Sequence, residues 1–393
     1  MTTDPVDRVP TRSPAVAQCC LTRSWGGLEM STLRFTRALA TAGRRSWLLC
    51  QDGSPLARAA LADGLDRLTL TARDYVSPAA TRRLRAWIRA ERPVVLHAHR
   101  STDLWLLRQA ARGLAAPPAL VLTSRIFFRR QLKRGLLHRW LYAGVARVVA
   151  LSDTARAHLI ECLPLPPERV VVIPNGVDLE RFATGAQRAA QRAAVRAALA
   201  AAPGIDPAVP LVGIVGRLDP KKGQDDAIRA LAALPPPLDR CALVLIGDET
   251  AGEPGETRRL RALARDVGVG ARVHFLGHRE DVPALLAALD LFLLPSHGEN
   301  FGNVLLEAMA AGVPIIGTRA GGTPEILDHG AAGELVVPRD VAALAATMQT
   351  LLADPSRRAR LAAAGRARVE RHYAFPRIVE RTRALYDEVA PGT

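Results

Sequence analysis

Residues 291–327, LFLLPSHGENFGNVLLEAMAAGVPIIGTRAGGTPEIL, constrain the fold more than any other stretch of the chain. A four-residue apolar run stops at Pro295, and Ser296, His297, Gly298, Glu299, Asn300 and Gly302 then form a loop of turn-favouring residues. Asn303 is placed to cap a helix over 304–311, which Gly312 and Pro314 end. A second apolar run over 313–316 leads to Gly321, Gly322, Thr323, Pro324 and Glu325, again a glycine turn with proline and an acid in a first helical turn. Short buried strands that alternate with helices through glycine turns predict a soluble α/β protein.

The same stretch predicts chemistry. A loop that delivers Gly302 and Asn303 to a helix N-terminus presents unpaired N–H groups and the positive end of the helix dipole, a setting for an anion such as a diphosphate. Glu299 and Glu307 bracket that setting. A carboxylate is repelled by phosphate, so both are expected on the hydroxyls of sugars either side of it. The segment resembles the E-x7-E region and following glycine turn of the retaining, nucleotide-sugar-dependent glycosyltransferases of family four, which have the GT-B fold of two Rossmann-like domains facing across a cleft. The resemblance puts Glu299 by the donor sugar and Glu307 on the donor ribose, with Asn300, Phe301, Gly302 and Asn303 in the donor-binding loop.

At 393 residues the chain is long enough for two domains of ordinary size. The expected division is a first Rossmann-like, acceptor-side domain over 1–182, a linker over 183–210 and a donor-binding domain over 211–375. A last helix over 376–393 is expected to cross back onto the first domain. In the first domain a strand over 14–21 runs into Gly26, Gly27, Leu28 and Glu29 and then a helix. This is similar to the family's GG-x-E turn, where a backbone glycine, here Gly27, approaches the donor diphosphate. A strand over 94–98 ends in His97-Ala98-His99, which period two turns to one face. The resemblance selects His99 to face the donor sugar, with His97 as second choice. IPNGVD, from Ile173 to Asp178, resembles the turn that closes the first domain and is read as structural.

The second domain opens with a strand over 211–215 followed by GRLDPKKG. Two permanent cations at a strand end would meet the negative charge that a leaving nucleoside diphosphate acquires. The chain has only three lysines, Lys133, Lys221 and Lys222, and two of them stand here. By resemblance the diphosphate pair is Arg217 and Lys222. Gly247 and His278 follow two further strands, where the family places base contacts.

The net charge of +15 comes mostly from arginine. A solvated arginine-rich surface is one reading; an anionic membrane or an anionic acceptor are the others. Nucleic acid is excluded as a partner by 4% aromatic residues and the lack of any base-reading motif. Residues 125–142, RIFFRRQLKRGLLHRWLY, read as a basic amphipathic helix despite Gly135. Either it packs on the core with a wet basic face or it lies on an anionic bilayer. Arg125, Arg129, Arg130 and Lys133 are the candidate residues for that membrane or acceptor side, and Arg125 and Arg129 are candidates for reading an acceptor phosphate.

Five cysteines form no C-x-x-C pair, so they are expected as reduced core residues. No apolar stretch approaches membrane-spanning length and the N-terminus does not read as a leader, so a cytoplasmic protein is expected, peripheral at most on the inner face of the cytoplasmic membrane. The resemblance implies transfer of a hexosyl group from a nucleoside diphosphate sugar to a hydroxyl of a glycan or lipid-linked acceptor, with retention, in lipopolysaccharide or cell-surface polysaccharide synthesis. No cofactor is expected beyond the nucleotide sugar, and no metal, since the chain has no Asp-x-Asp pair. A GT-B epimerase, which would convert the donor without an acceptor, and a non-catalytic binding module remain as alternatives.

Overall fold

The computed structural model describes residues 15–72, 77–125, 133–249 and 255–390. The chain divides into two compact units. The first holds residues up to Leu151, Ala155–Ile173 and the chain from Val379 on; the second holds Ser152–Thr154 and Pro174–Ile378.

The first unit is built on a seven-stranded parallel sheet. Its strands are β1 (Val16–Cys20), β2 (Ser46–Gln51), β3 (Arg67–Leu70), β4 (Val95–Ala98), β5 (Ala119–Thr123), β6 (Val145–Ala150) and β7 (Val170–Val172). Their order is β3-β2-β1-β4-β5-β6-β7. The central strands read as unbroken apolar runs because helices cover both sheet faces, so β1 and β4 are buried along their whole length. The second unit has a six-stranded parallel sheet of β8 (Leu211–Val215), β9 (Ala242–Ile246), β10 (Val273–Gly277), β11 (Leu291–Leu294), β12 (Ile315–Thr318) and β13 (Glu334–Val336). Here the order is β10-β9-β8-β11-β12-β13. Each sheet therefore reverses its winding once, between β1 and β4 in the first unit and between β8 and β11 in the second. In doubly wound sheets such reversals open the crevices beyond the carboxyl ends of the strands where ligands bind.

The expected linker over 183–210 carries the helix Gly185–Ala201, which belongs to the second unit. Arg192 and Arg196 on this helix each reach a carboxylate oxygen of Asp290 at 2.5 Å, and Asp290 also accepts from the Leu211 amide. Arginine at those two positions clamps the helix to the sheet, a contact composition could not reveal. The helix Phe375–Val389 starts in the second unit and continues in the first.

The expected basic helix over 125–142 is corrected. Residues 126–132 lie outside the described residues; Lys133, Arg134 and Gly135 are not helical, and Leu136–Ala143 is, with Gly135 as an extended cap residue at φ −62° and ψ 162°. Arg125 follows β5 outside any helix; its guanidinium is held down to about 10 by burial, and it lies by Ser31 rather than on a basic outer face. Arg129 and Arg130 lie outside the described residues. Lys133 is half-buried, with its amide donating to the Cys162 carbonyl. Leu136 and Leu137 stand 86% and 68% exposed. All five cysteines are free and buried.

Candidate functional site

In the second unit three loops meet beyond the carboxyl ends of β8, β11 and β12. The first, 216–223, ends in a short turn of 3-10 helix whose entry residue Asp219 accepts from the Lys221 amide. Gly223 follows at φ +71°, and a Cβ there would lie 2.2 Å from the Pro295 carbonyl oxygen, so only glycine lets this loop close on the next. The second loop, 295–302, is stitched to the first by the His297 amide, which donates to the Lys221 carbonyl at 2.8 Å. It is stitched again by Lys222, whose Nζ donates to Glu299 Oε2 at 2.5 Å. The third loop supplies the Gly322 amide to the Glu299 carbonyl, and a Cβ on Gly321 would lie 1.7 Å from that same oxygen. The glycine turn is thus the mould for the Glu299 loop.

The helix Asn303–Ala310 starts from Gly302 in the left-handed conformation at φ +70°. Asn303 does not cap it, as the sequence suggested. It is the first helical residue, and its side-chain oxygen accepts from Asn175 Nδ2 at 2.7 Å. The N-terminal amides of this helix therefore keep no side-chain cap. Glu307 lies within the helix, half-buried. Phe301 turns inward against Tyr373, so its side chain serves the core and only its backbone faces the loop. Ser296 Oγ, Asn300 Nδ2 and Thr323 Oγ1, from these same loops, are buried polar atoms with no protein partner. Such groups cost stability unless a ligand or ordered water completes them.

Arg217 is exposed at the end of β8, with its carbonyl held by Gln224 Nε2 at 2.9 Å. Gly247 has a packing reason to be glycine, since a Cβ would lie 2.1 Å from the Gly216 carbonyl oxygen. Its amide donates to the Gly277 carbonyl, and exposed His278 follows, so both stand on the β9–β10 side of Arg217.

Behind the Glu299 loop His297 Nε2 lies 2.8 Å from an Asp226 oxygen while Arg339 donates to Nδ1 at 3.3 Å. Among the described residues Asp225, Asp226 and His297 are the one cluster spaced to hold a metal ion. Arg259 lies 3.6 Å from an Asp225 oxygen and Arg339 donates to His297, so two of these three residues already have a guanidinium partner.

In the first unit the β1–β4 reversal is flanked by the glycine turn and the histidine pair. Glu29, buried, accepts from Thr22 and Ser24 at 2.6 and 3.0 Å at the start of the helix Gly27–Thr41, where a negative charge suits the helix dipole. A Cβ on Gly27 would meet nothing within 4 Å, so the fold itself leaves room there. A cavity of about 730 Å³ opens beside it, lined among others by Thr22, Arg23, Gly27, Gln51 and Arg100, with buried Gln51 Nε2 unpartnered.

His97 and His99 do share a face: their rings stack with centroids 4.5 Å apart, both buried. Burial depresses His97 to about 3 and His99 well below the ordinary value, with the neighbouring ring and Arg125 adding to the effect on His99, so both are neutral. Sequence reasoning missed their partners. His99 Nε2 lies 2.9 Å from Gln18 Oε1, and His97 lies between Tyr386 Oη at 2.6 Å and Thr123 Oγ1 at 2.7 Å. A glutamine in the middle of an apolar strand was the one available signal.

Two family models match the chain: Glycosyltransferase Family 4 over residues 25–181 and Glycosyl transferases group 1 over residues 195–368. The D-inositol 3-phosphate glycosyltransferase of Corynebacterium jeikeium is 32% identical over 62% of this chain and 58% of its own length. That of Frankia alni is 31% identical over 68% of each. The match spans 58%, 52% and 44% of the length of three such curated relatives, about half of each. Among solved structures, Anabaena HepE in complex with UDP is 23% identical, with a TM-score of 0.82 over 95% of this chain and all of that one. A glycosyltransferase from Rickettsia africae reaches 0.85 at 18% identity, over 97% of this chain and all of its own. With two doubly wound parallel sheets and these matches along both units, the chain is a GT-B protein that belongs to glycosyltransferase family four.

Proposed function

We propose that the protein transfers a hexosyl group from a nucleoside diphosphate sugar to a hydroxyl of a glycan or lipid-linked acceptor, with retention and without a metal. The observation that carries this reading is the meeting of Lys222, Glu299 and the uncapped helix N-terminus at the β8–β11 reversal. The amides after Gly302 take the diphosphate, Glu307 takes the ribose, and Gly247 and His278 lie towards the base. Arg217 and Lys222 receive the charge that builds on the leaving group, which stabilises the transition state more than the ground state. Glu299 and His99 orient the sugar while the acceptor hydroxyl attacks from the face the diphosphate leaves. In the first unit Gly27, where a Cβ would be free, leaves space for a phosphate, and the cavity with Arg23 and Arg100 takes the acceptor.

HepE was solved with UDP-glucose, which makes uridine the first base to test here. The relatives named for D-inositol 3-phosphate put a polyol phosphate beside glycans among the acceptors to test, and a similar structure, WaaG, is described as acting in lipopolysaccharide biosynthesis. No helix among the described residues is long and apolar enough to cross a membrane. Exposed Leu136 and Leu137 beside Lys133 and Arg134 favour contact with an anionic bilayer.

The test is a thermal-shift series with UDP, GDP, ADP and their sugar conjugates, with and without magnesium, followed by product analysis with acceptor present. One nucleotide that stabilises without magnesium and a glycosylated acceptor of unchanged anomeric configuration are expected. Conversion of the donor alone would make the protein an epimerase, and binding without any conversion would make it a binding module.

A further inference from the structure

Gln18 is fully buried in the middle of β1 and both ends of its side-chain amide are engaged. Nε2 donates to Tyr386 Oη at 2.9 Å, and Oε1 faces His99 Nε2 at 2.9 Å. An amide has a donor side and an acceptor side, so its orientation decides which nitrogen of His99 carries the proton. We propose that Gln18 is a positioning residue that holds His99 in the Nε2–H tautomer, so that Nδ1 meets a substrate hydroxyl only as an acceptor.

The chain of contacts behind Gln18 sets the direction. Tyr386 is fully buried and has one hydroxyl proton. If that proton goes to His97 Nδ1, the Tyr386 oxygen is open to the Gln18 amide, and His97 carries its own proton on Nε2 and donates to Thr123 Oγ1. Donors then run in one sense from Gln18 through Tyr386 and His97 to Thr123. Reversing every bond would turn the Gln18 amide over and leave His99 with a proton on Nδ1, a buried nitrogen with no partner in the protein. With no ligand bound, a buried donor left unpaired is rarer than an under-used acceptor, so the first direction is the one that burial supports in the free protein. Depression of the His99 pKa by burial agrees, since no imidazolium forms to donate from both nitrogens.

This inference rests on the proposed contact of His99 with the transferred sugar and adds a selection rule to it. An acceptor-only nitrogen favours a sugar that offers a hydroxyl at that position. A uronic acid would bring carboxylate lone pairs against the nitrogen lone pair, and a deoxy sugar would leave Nδ1 unpaired.

The experiment is long-range proton–nitrogen NMR on the full chain with labelled histidine, with His99 assigned by loss of its signal in His99→Gln. The Nε2–H pattern is expected, and an Nδ1–H pattern would overturn the proposal. Gln18→Met should give mixed tautomers and release UDP from UDP-glucose about 10- to 100-fold more slowly, the loss of one hydrogen bond at a reacting group. Gln18→Glu still accepts from Nε2–H and should keep both the tautomer and most of the turnover. Its spectrum decides the matter even where Gln18→Met does not fold, because an Nδ1–H pattern in Gln18→Glu would refute control by an acceptor at position 18. A tautomer change with unchanged turnover would overturn the positioning role. If His99→Gln transfers normally while the wild-type spectrum shows Nε2–H, the sugar contact of His99 falls and the tautomer assignment stands.

Discussion

Lys222 and Glu299, one from the loop after β8 and the other from the loop after β11, are joined by a 2.5 Å hydrogen-bonded ion pair. Their proposed roles differ, Lys222 acting on the leaving diphosphate and Glu299 on the sugar. Their pairing keeps both side chains extended toward one point and spares the ammonium an unpaired position in a half-buried loop. A donor whose diphosphate meets Lys222 would draw on a charge that is already in place.

Replacement of Lys222 by Ala is therefore expected to lower turnover by about 10²–10³, the range for removing one group that stabilises developing negative charge. Donor affinity should fall much less. Steady-state kinetics beside equilibrium donor binding separates the two, and an equal loss in both would remove the transition-state role.

Gly321→Ala should damage the site without touching a charged residue. The glycine sits at φ +58° and its new Cβ would strike the Glu299 carbonyl oxygen at 1.7 Å. Strain of about 1–3 kcal/mol is expected from the backbone conformation alone. A fall in the melting temperature together with weaker nucleotide stabilisation is the predicted result; an unchanged nucleotide response would mean the glycine turn does not shape the Glu299 loop.

Stability should fall as the pH drops below the ordinary histidine range. His97 is held to about 3 in the folded chain by burial. Below pH 6.5 the unfolded chain takes up a proton that the folded chain refuses, so the loss is absent above pH 6.5 and grows from there down to about pH 3. By pH 5 this amounts to about 2 kcal/mol for His97, with His99 adding in the same direction. Melting curves of the wild type and His97→Gln between pH 5 and 7.5 check it, and parallel pH profiles would show that His97 titrates normally.

Asp290→Ala should destabilise the second unit by about 3 kcal/mol. It would strand Arg192, Arg196 and the Leu211 amide, all of which now share that carboxylate. Denaturant unfolding of the variant measures the loss, and a shift within error would show that the arginines find other partners.

Leu136→Ser with Leu137→Ser removes exposed apolar surface while leaving every charge in place. Cosedimentation with vesicles containing anionic lipid is expected to fall, and to fall again when Lys133 and Arg134 are neutralised. Equal sedimentation of wild type and variants would place membrane binding elsewhere.

Much of the geometry of the second unit was legible because it is local. Glycine turns, proline at helix starts and a strand of four apolar residues act over a few neighbours, so residues 291–327 announced their strand, loop and helix directly, and the strands Leu211–Val215 and Val273–Gly277 lie where their apolar runs put them. The role of Asn303 was misread because capping depends on φ, and the left-handed Gly302 had already taken the cap position. In the segment expected as a helix over 125–142, Lys133, Arg134 and Gly135 are not helical and Leu136–Ala143 is, so the apolar period does not carry one helix through those three residues.

Periodicity and turn chemistry along the chain were enough for the α/β class, the strand and helix alternation and the loops beyond the strand ends, while the two-domain GT-B architecture was implied by the family resemblance. Only the tertiary structure decided that Lys222 pairs with Glu299, that Gly321 moulds the Glu299 loop and that Gln18 and Tyr386 stand behind the histidines. Gln18 and Tyr386 are separated by 368 positions. No local rule relates residues so far apart; strand order and the path of the last helix bring them together, and burial then requires each polar group to find its partner.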